Sequence, residues 1–170
     1  MSRTPPPLLT AAPPGFVDPA RYRSTKTFAD LPCAHRQWRH EGHCAFVHGY
    51  SRSFHFEFAA AELSETHFVV DFGGLKPLRA WLEAWFDHTL LLCEDDPLLP
   101  AFRALEAQGA ADLRVLPSVS MEYCARLAWA QANALLHEQS GGRAWCEAVE
   151  CRENPKNSAW FRAVPEWAGR

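Results

Sequence analysis

The stretch from Tyr50 to Ala59, YSRSFHFEFA, decides the fold class of this chain of 170 residues. Three aromatic side chains alternate there with polar ones, and they are Phe54, Phe56 and Phe58. A period of two is typical of a β-strand that buries one face and exposes the other. The stretch at residues 21–28 contains Tyr, Thr and Phe and predicts a strand that precedes this one. The first two predicted elements are therefore both strands.

The rest of the chain is predicted to form short strands and three helices around this sheet. Further strands are predicted at 67–72, 113–116, 143–153 and 158–164, and helices at 75–87, 97–108 and 120–137. Hairpin-like strands next to long helices favour an α+β fold with an antiparallel sheet that is covered on one face. We expect one domain at 21–165, a Pro-rich flexible arm at 1–20 and a tail at 166–170.

Composition excludes several classes of protein. Apolar residues make up 48% of the chain and charged residues 22%, as in an ordinary globular domain. The net charge is -3 and no run of Lys or Arg forms a basic stripe, so we expect no nucleic-acid partner. Apolar runs such as Thr89 to Cys93 are too short to span a membrane, and the Pro-rich start lacks the layout of a signal peptide. We therefore expect a cytoplasmic protein.

Six cysteines and eight histidines are the unusual feature of this composition. Without an export signal the cysteines are expected to be thiols, each a core residue, a nucleophile or a ligand. His48 and Tyr50 lie two apart at the start of a strand and project from the same face, so they can reach one metal ion together with a group such as His35 from an earlier loop. The spacing alone is not specific for zinc, because loop histidines are often exposed or capping groups.

Five ordered motifs identify a family resemblance. They are CAHR at 33–36 with CAFVHGYS at 44–51, VVDFGGLK at 69–76, FDHTL at 86–90, SMEY at 120–123 and Glu153-Asn154. In this order they resemble the 6-pyruvoyltetrahydropterin synthase and 6-carboxytetrahydropterin synthase family, from about residue 22 to 164. The stretch 95–116 is longer than we expect for that family, and the resemblance gives it no role.

The resemblance implies a fold, a reaction and an assembly. The fold is the tunnelling fold, a four-stranded antiparallel sheet with helices on one face, which closes into a barrel when subunits associate. The implied partners are a small-molecule pterin and other copies of the chain, in a hexamer of two trimers with active sites between subunits. The substrate is 7,8-dihydroneopterin triphosphate, and we favour a metal-dependent lyase that makes 6-carboxy-5,6,7,8-tetrahydropterin for queuosine biosynthesis. The alternative product is 6-pyruvoyltetrahydropterin.

The resemblance also assigns roles to single residues. Cys44 matches the cysteine base, and Asp87 with His88 matches a relay pair that exchanges protons. Glu153 matches the glutamate that binds the pterin, with Glu150 as the rival register, and Ser120 is a possible pterin contact as well as a plain helix cap. The implied cofactor is Zn²⁺, and its ligand positions fall on His35, His48 and Tyr50.

Tyr50 departs from the family, which has histidine at the third zinc position. A phenol has an unperturbed pKa of about 10, so a metal would have to lower it by several units to obtain a phenolate ligand. Three outcomes stay open: Tyr50 binds zinc, His40 or His43 replaces it, or the metal is lost. In the last case the chain would be a non-catalytic pterin-binding protein. A structural thiol-rich domain is a further alternative.

Overall fold

The computed structural model describes residues 21–168, which form six strands and three α-helices. The strands are β1 (Tyr22–His35), β2 (His48–Ala60), β3 (Thr89–Cys93), β4 (Leu113–Leu116), β5 (Ala144–Arg152) and β6 (Ser158–Arg162). The helices are α1 (Lys76–Phe86), α2 (Leu99–Ala107) and α3 (Met121–Ser140). The predicted arm at 1–20 and the last two residues of the predicted tail lie outside the described residues.

All six strands belong to one mixed sheet in the order β4-β3-β1-β2-β5-β6. β1, β2, β5 and β6 are antiparallel neighbours, whereas β3 and β4 run parallel to β1. The α+β class and the tunnelling fold are confirmed, but the predicted count of four strands is wrong. The sheet gains two strands because β3 pairs with the last three residues of β1, Cys33 to His35, and β4 pairs with β3.

Two local predictions fail, both at short apolar runs. The predicted strand at 67–72 is instead a turn, in which His67 adopts a φ of 61° and Asp71 caps the amide of Gly73 at 2.8 Å. Val69 and Val70 in this turn are nevertheless buried. The run Thr89–Cys93, which we did not predict as a strand, is β3. Short apolar runs fit several backbone conformations, so neighbouring elements decide between them.

One face of the sheet carries the core. On β2 the side chains of Phe54, Phe56 and Phe58 are fully buried, as their alternation predicts. They share one apolar cluster with buried residues of α1 and α3, such as Leu82 and Ala128. The two helices therefore cover the same face of the sheet.

α3 begins after Ser120, as its sequence predicts, and ends at Ser140, three residues beyond the predicted end. Ser120 caps its first turn by accepting a hydrogen bond from the amide of Tyr123 at 3.2 Å. Gly141 ends it in the left-handed region, with a φ of 61° and its amide bonded to the carbonyl of His137. The N-terminus of α3 is thereby fixed beside the ends of β1 and β2. In the part of the chain that the structure describes, no helix is long and apolar enough to cross a membrane.

Candidate functional site

A cleft of about 570 Å³ lies where β1 ends and β2 begins. The start of α3 and the turn after β5 form its other walls. Six of the predicted site residues line this cleft: His35, Cys44, His48, Tyr50, Ser120 and Glu153. Residues more than a hundred positions apart in the sequence thus meet because β2 pairs with both β1 and β5.

His35 and His48 face each other across the β1–β2 ladder, with ring centroids 4.3 Å apart. Burial, together with the nearby charges of Arg52 and His48, lowers the pKa of His35 to about 3. His35 is therefore neutral at neutral pH, with one ring nitrogen that bears no hydrogen. Its Nδ1 atom is buried without a hydrogen-bond partner. An unpaired ring nitrogen of this kind is suited to binding a metal ion.

His48 has the orientation of a metal ligand. Its Nδ1 atom lies 2.8 Å from the carbonyl oxygen of Phe46. Because a carbonyl can only accept, Nδ1 carries a hydrogen, and in the neutral ring the lone pair is then on Nε2. Metal-binding histidines commonly donate their second ring N–H in this way, which fixes the ring and its tautomer.

The third donor position is occupied by Tyr50. Its ring is 5.8 Å from that of His48 and nearly perpendicular to it, and the side chain is partly exposed at the cleft. Among residues 21–168 no three His, Cys, Asp or Glu side chains are placed to hold a metal ion. A metal ion at this place would meet two imidazoles, and a phenol is the third group that the fold brings beside them.

His40 and His43 also line the cleft, but each is engaged locally. The Nδ1 atom of His40 accepts a hydrogen bond from the amide of Gly42 at 2.9 Å. The ring of His43 lies 6.3 Å from that of Phe46. In this arrangement neither one completes a three-ligand set with His35 and His48.

Cys44 is the one exposed thiol among the six cysteines. Burial raises the pKa of the Cys33 thiol to about 11, and it raises the pKa of the other four as well, namely Cys93, Cys124, Cys146 and Cys151. Those five are core thiols with little thiolate at neutral pH. Only Cys44 is therefore accessible to a ligand in the cleft.

The Asp87–His88 pair is separate from the cleft. Its His88 Nδ1 and Asp87 Oδ1 atoms are 2.6 Å apart, just beyond the end of α1. His88 adopts a φ of 56°, an uncommon backbone conformation that is often found at functional residues. Asp87 lines a different cavity, between α1 and the bulged part of β1 that includes Lys26 and Asp30. Within one chain the structure does not bring the pair to Cys44.

Glu153 rather than Glu150 faces the cleft. Glu150 stands in register with His55 and Trp160, on the sheet face opposite the core, and its carboxylate binds Arg152 at 2.5 Å. Glu153 lies beyond the end of β5, where the side-chain amides of Asn154 and Asn157 both reach its Oε1 atom at 3.3 Å. No other described residue is bonded to its Oε2 atom, which can accept hydrogen bonds from a ligand.

Sequence reasoning missed two residues of this region. Arg52 is buried with 1% exposure beneath the cleft, where it donates to the Sγ atom of Cys124 at 2.8 Å and to the carbonyl of Val119 at 2.9 Å. Arg52 lies two residues before Phe54 on β2, so the period of two in that strand could have indicated that its side chain points inward. Glu122, in the first turn of α3, lines the cleft, and its place inside the SMEY motif could have indicated this.

Comparisons with known proteins agree with this picture. Residues 24–164 match the family described as 6-pyruvoyl tetrahydropterin synthase. The 6-carboxy-5,6,7,8-tetrahydropterin synthase of Rickettsia typhi is 37% identical over 68 residues, which are 39% of this chain and 49% of that protein. The enzyme of the same name from Rickettsia conorii is 34% identical over the same shares. The chain thus spans about half the length of the curated relatives it matches.

Solved structures share the fold. An uncharacterized protein of Wolinella succinogenes superposes with a TM-score of 0.72 at 20% identity, over 84% of this chain and 98% of that one. A 6-pyruvoyltetrahydropterin synthase of Plasmodium vivax with a substituted catalytic residue superposes with a TM-score of 0.59 at 16% identity, over the same shares. At these identities the likeness extends to the fold alone.

Proposed function

The chain belongs to the 6-pyruvoyl tetrahydropterin synthase family, and from this premise we propose that it is a lyase that converts 7,8-dihydroneopterin triphosphate to 6-carboxy-5,6,7,8-tetrahydropterin. The proposal is carried by the single cleft that gathers His35, Cys44, His48, Tyr50, Ser120 and Glu153. The names of the curated relatives favour the carboxy product, a precursor in queuosine biosynthesis, over the pyruvoyl product.

Glu153 binds the pterin ring in this proposal. A carboxylate accepts the ring N–H and the amino group of a pterin side by side, and charge strengthens both bonds. The described lining of the cleft includes no Lys or Arg, so this wall suits a neutral ring better than a triphosphate. The oxygen of Ser120 is already bonded to the amide of Tyr123, so its pterin contact would be secondary to its role as helix cap.

His35 and His48 would hold the zinc ion, with Tyr50 as the third ligand. Zinc bound there acts as a Lewis acid that acidifies the hydroxyl groups of the substrate side chain. The chain contributes a neutral, buried His35 and a His48 ring that is oriented by the carbonyl of Phe46. His35 is thus prepared for a metal without losing a proton first, and His48 is already oriented.

Cys44, in its thiolate form, serves as the base that accepts a substrate proton, and its exposed place at the cleft lets a substrate reach it. The carboxylate of Asp87 holds the Nδ1–H of His88, which leaves Nε2 of that ring to exchange protons. Since this pair lies outside the cleft of its own chain, we assign it to the cleft of a neighbouring copy.

Two strand edges of the described sheet support such an assembly. Among the described residues, 24–32 of β1 pair with β2 alone, and β6 pairs with β5 alone. Unpaired strand edges are places where another chain can add to a sheet. The cavity with Asp87 adjoins this part of β1, so pairing there would bring the Asp87–His88 pair to an interface. A hexamer of two trimers is the assembly that we propose.

Incubation of the purified chain with zinc and 7,8-dihydroneopterin triphosphate tests the proposal. Chromatography should detect 6-carboxy-5,6,7,8-tetrahydropterin together with acetaldehyde, and Cys44→Ala should abolish both products. Cys93→Ala is the matched control, since that thiol is buried beside the core. Absence of any product with zinc present refutes the lyase.

The replacement of a zinc histidine by Tyr50 favours a second candidate, a pterin-binding protein without catalysis. Metal content separates the two candidates. About one tightly bound zinc ion per chain supports the enzyme. A zinc-free protein that still binds dihydroneopterin, and loses it in Glu153→Gln, supports the binding protein.

A further inference from the structure

Two adjacent carboxylates, Asp95 and Asp96, lie in the connection between β3 and α2, and we call them the acidic turn. They face the segment between β1 and β2, residues 36–47, which carries Cys44 and is called the Cys44 loop. The acidic turn begins the long stretch at 95–116, to which the family resemblance gives no role. Three side chains of the Cys44 loop bind it.

Asp96 forms the buried half of this contact. Its side chain has 0% exposure, and its Oδ2 atom lies 2.9 Å from Nε of Arg36, which is itself only 14% exposed. Its Oδ1 atom accepts a hydrogen bond from the amide of Leu98 at 2.8 Å, which fixes the carboxylate at the start of α2. A buried carboxylate with a single cationic partner depends strongly on that partner, because an unpaired buried charge is costly.

Asp95 forms the exposed half. Its Oδ1 atom accepts a hydrogen bond from the indole nitrogen of Trp38 at 2.9 Å, and its Oδ2 atom pairs with the guanidinium of Arg39. That guanidinium also lies over the Trp38 ring, 4.8 Å from its centroid. Arg36, Trp38 and Arg39 are thus held together by two neighbouring carboxylates.

The backbone connects this anchor to Cys44. The amide of Gln37, between Arg36 and Trp38, donates to the carbonyl of Cys44 at 2.8 Å. The short helical turn at His43–Ala45 contains no buried residue, so apolar packing does little to hold it. The helical turn that carries Cys44 therefore depends on contacts at the base of the loop, which are these polar contacts and the packing of Trp38 against the core.

We propose that Asp95 and Asp96 are positioning residues, which hold the Cys44 loop so that the Cys44 thiol stays at the cleft. This role rests on the proposed function of Cys44 as a base. It gives the long stretch at 95–116 a purpose: the stretch adds β4 to the sheet and supplies the two carboxylates that hold one wall of the cleft in place. A small displacement of a reacting group is enough to slow catalysis strongly, so the brace affects turnover more than pterin binding.

Cys44 provides its own reporter, because a nitroxide spin label will attach to the one exposed thiol. The variants are Asp95→Asn and Asp96→Asn, and the matched control is Asp112→Asn. Asp112 also pairs with an arginine in the 95–116 stretch, Arg114, but among the described residues no hydrogen bond or ion pair joins its side chain to the Cys44 loop. We expect a more mobile label in both test variants and an unchanged spectrum in the control.

Kinetics and hydrogen exchange complete the test. In Asp95→Asn and Asp96→Asn we expect kcat to fall by about ten-fold or more and KM to change by less than about two-fold. The amide of Gln37 should exchange at least about ten-fold faster, while amides of α3 keep their rates. If Asp96→Asn does not fold, Asp95→Asn decides alone.

Two results would overturn the positioning role. One is unchanged label mobility in the folded test variants. The other is a more mobile label with an unchanged kcat. If the wild-type chain shows no lyase activity, the proposed function fails, but the spin label still decides whether the acidic turn places Cys44.

Discussion

His35 is kept neutral by the fold, and this has a consequence for stability. Its pKa is lowered by burial to about 3 in the folded chain, whereas an unfolded histidine has a pKa of about 6.5. Between these two values the unfolded chain binds a proton that the folded chain does not. The free energy of unfolding must therefore fall as the pH drops below about 6.5. Above that pH the contribution of His35 to the free energy of unfolding does not change with pH.

We predict that metal-free protein loses about 2 kcal/mol of stability through His35 between pH 7 and pH 5. Urea unfolding in the presence of a chelator, followed across this range, measures the slope. The comparison is with His35→Gln, which removes the titrating group from the same buried position. Equal slopes for the two proteins would show that His35 does not carry the effect.

Tyr50 sets the affinity for zinc if it is the third ligand. Tyr50→His replaces a phenol by a neutral imidazole, so zinc affinity should rise by about ten-fold or more, because no phenol proton has to be displaced. Tyr50→Phe removes the oxygen and should weaken binding. Competition with a chromophoric chelator measures both. If neither variant changes the affinity while His40→Ala or His43→Ala lowers it, the third ligand is one of those histidines.

At the scale of elements, Ser120 stabilises the first turn of α3. Ser120→Ala removes the acceptor for the Tyr123 amide and should lower the free energy of unfolding by about 1 kcal/mol, as measured by urea denaturation. Ser120→Asp keeps an acceptor at the cap and should stay close to wild type. An unchanged stability in Ser120→Ala would mean that water or the Ser118–Ser120 backbone replaces the cap.

The elements that the sequence predicts well are those with a long local pattern. β2 and α3 follow from their own residues, since alternation and end signals extend over many positions. β1 is longer than predicted and continues to His35, because Cys33 to His35 pair with β2 and β3 at once. Pairing of this kind depends on strands far away in the sequence, which a local pattern cannot reveal.

At the scale of the whole molecule, the candidate site is divided between two places on one chain. Cys44 lies at the cleft, and Asp87 of the Asp87–His88 pair lines a separate cavity beside residues 26–31 of β1. If the site is shared between copies, two inactive variants should complement each other. Unfolding and refolding a 1:1 mixture of Cys44→Ala and His88→Ala should restore about a quarter of wild-type turnover. In such a mixture about a quarter of the sites combine an intact Cys44 from one copy with an intact His88 from its neighbour.

The control for this experiment is each variant refolded alone, which should stay inactive. A mixture that also stays inactive would place Cys44 and His88 of the same chain in one site, or would mean that the assembly does not form. Light scattering on the mixture separates these two explanations, since it measures the number of copies in the particle.

The sequence by itself determined the α+β class, the inward-facing side chains of β2, the three helices and the candidate residues of the cleft, because each follows from a local period, a cap or an ordered motif. Only the tertiary structure decided that β3 and β4 join the sheet, that Glu153 rather than Glu150 faces the cleft, and that the Asp87–His88 pair stands apart from Cys44. The buried charge of Arg52 and its effect on the pKa of His35 belong to the same group. These features depend on strand register and on contacts between distant segments. No single stretch of sequence determines the free energy of such contacts.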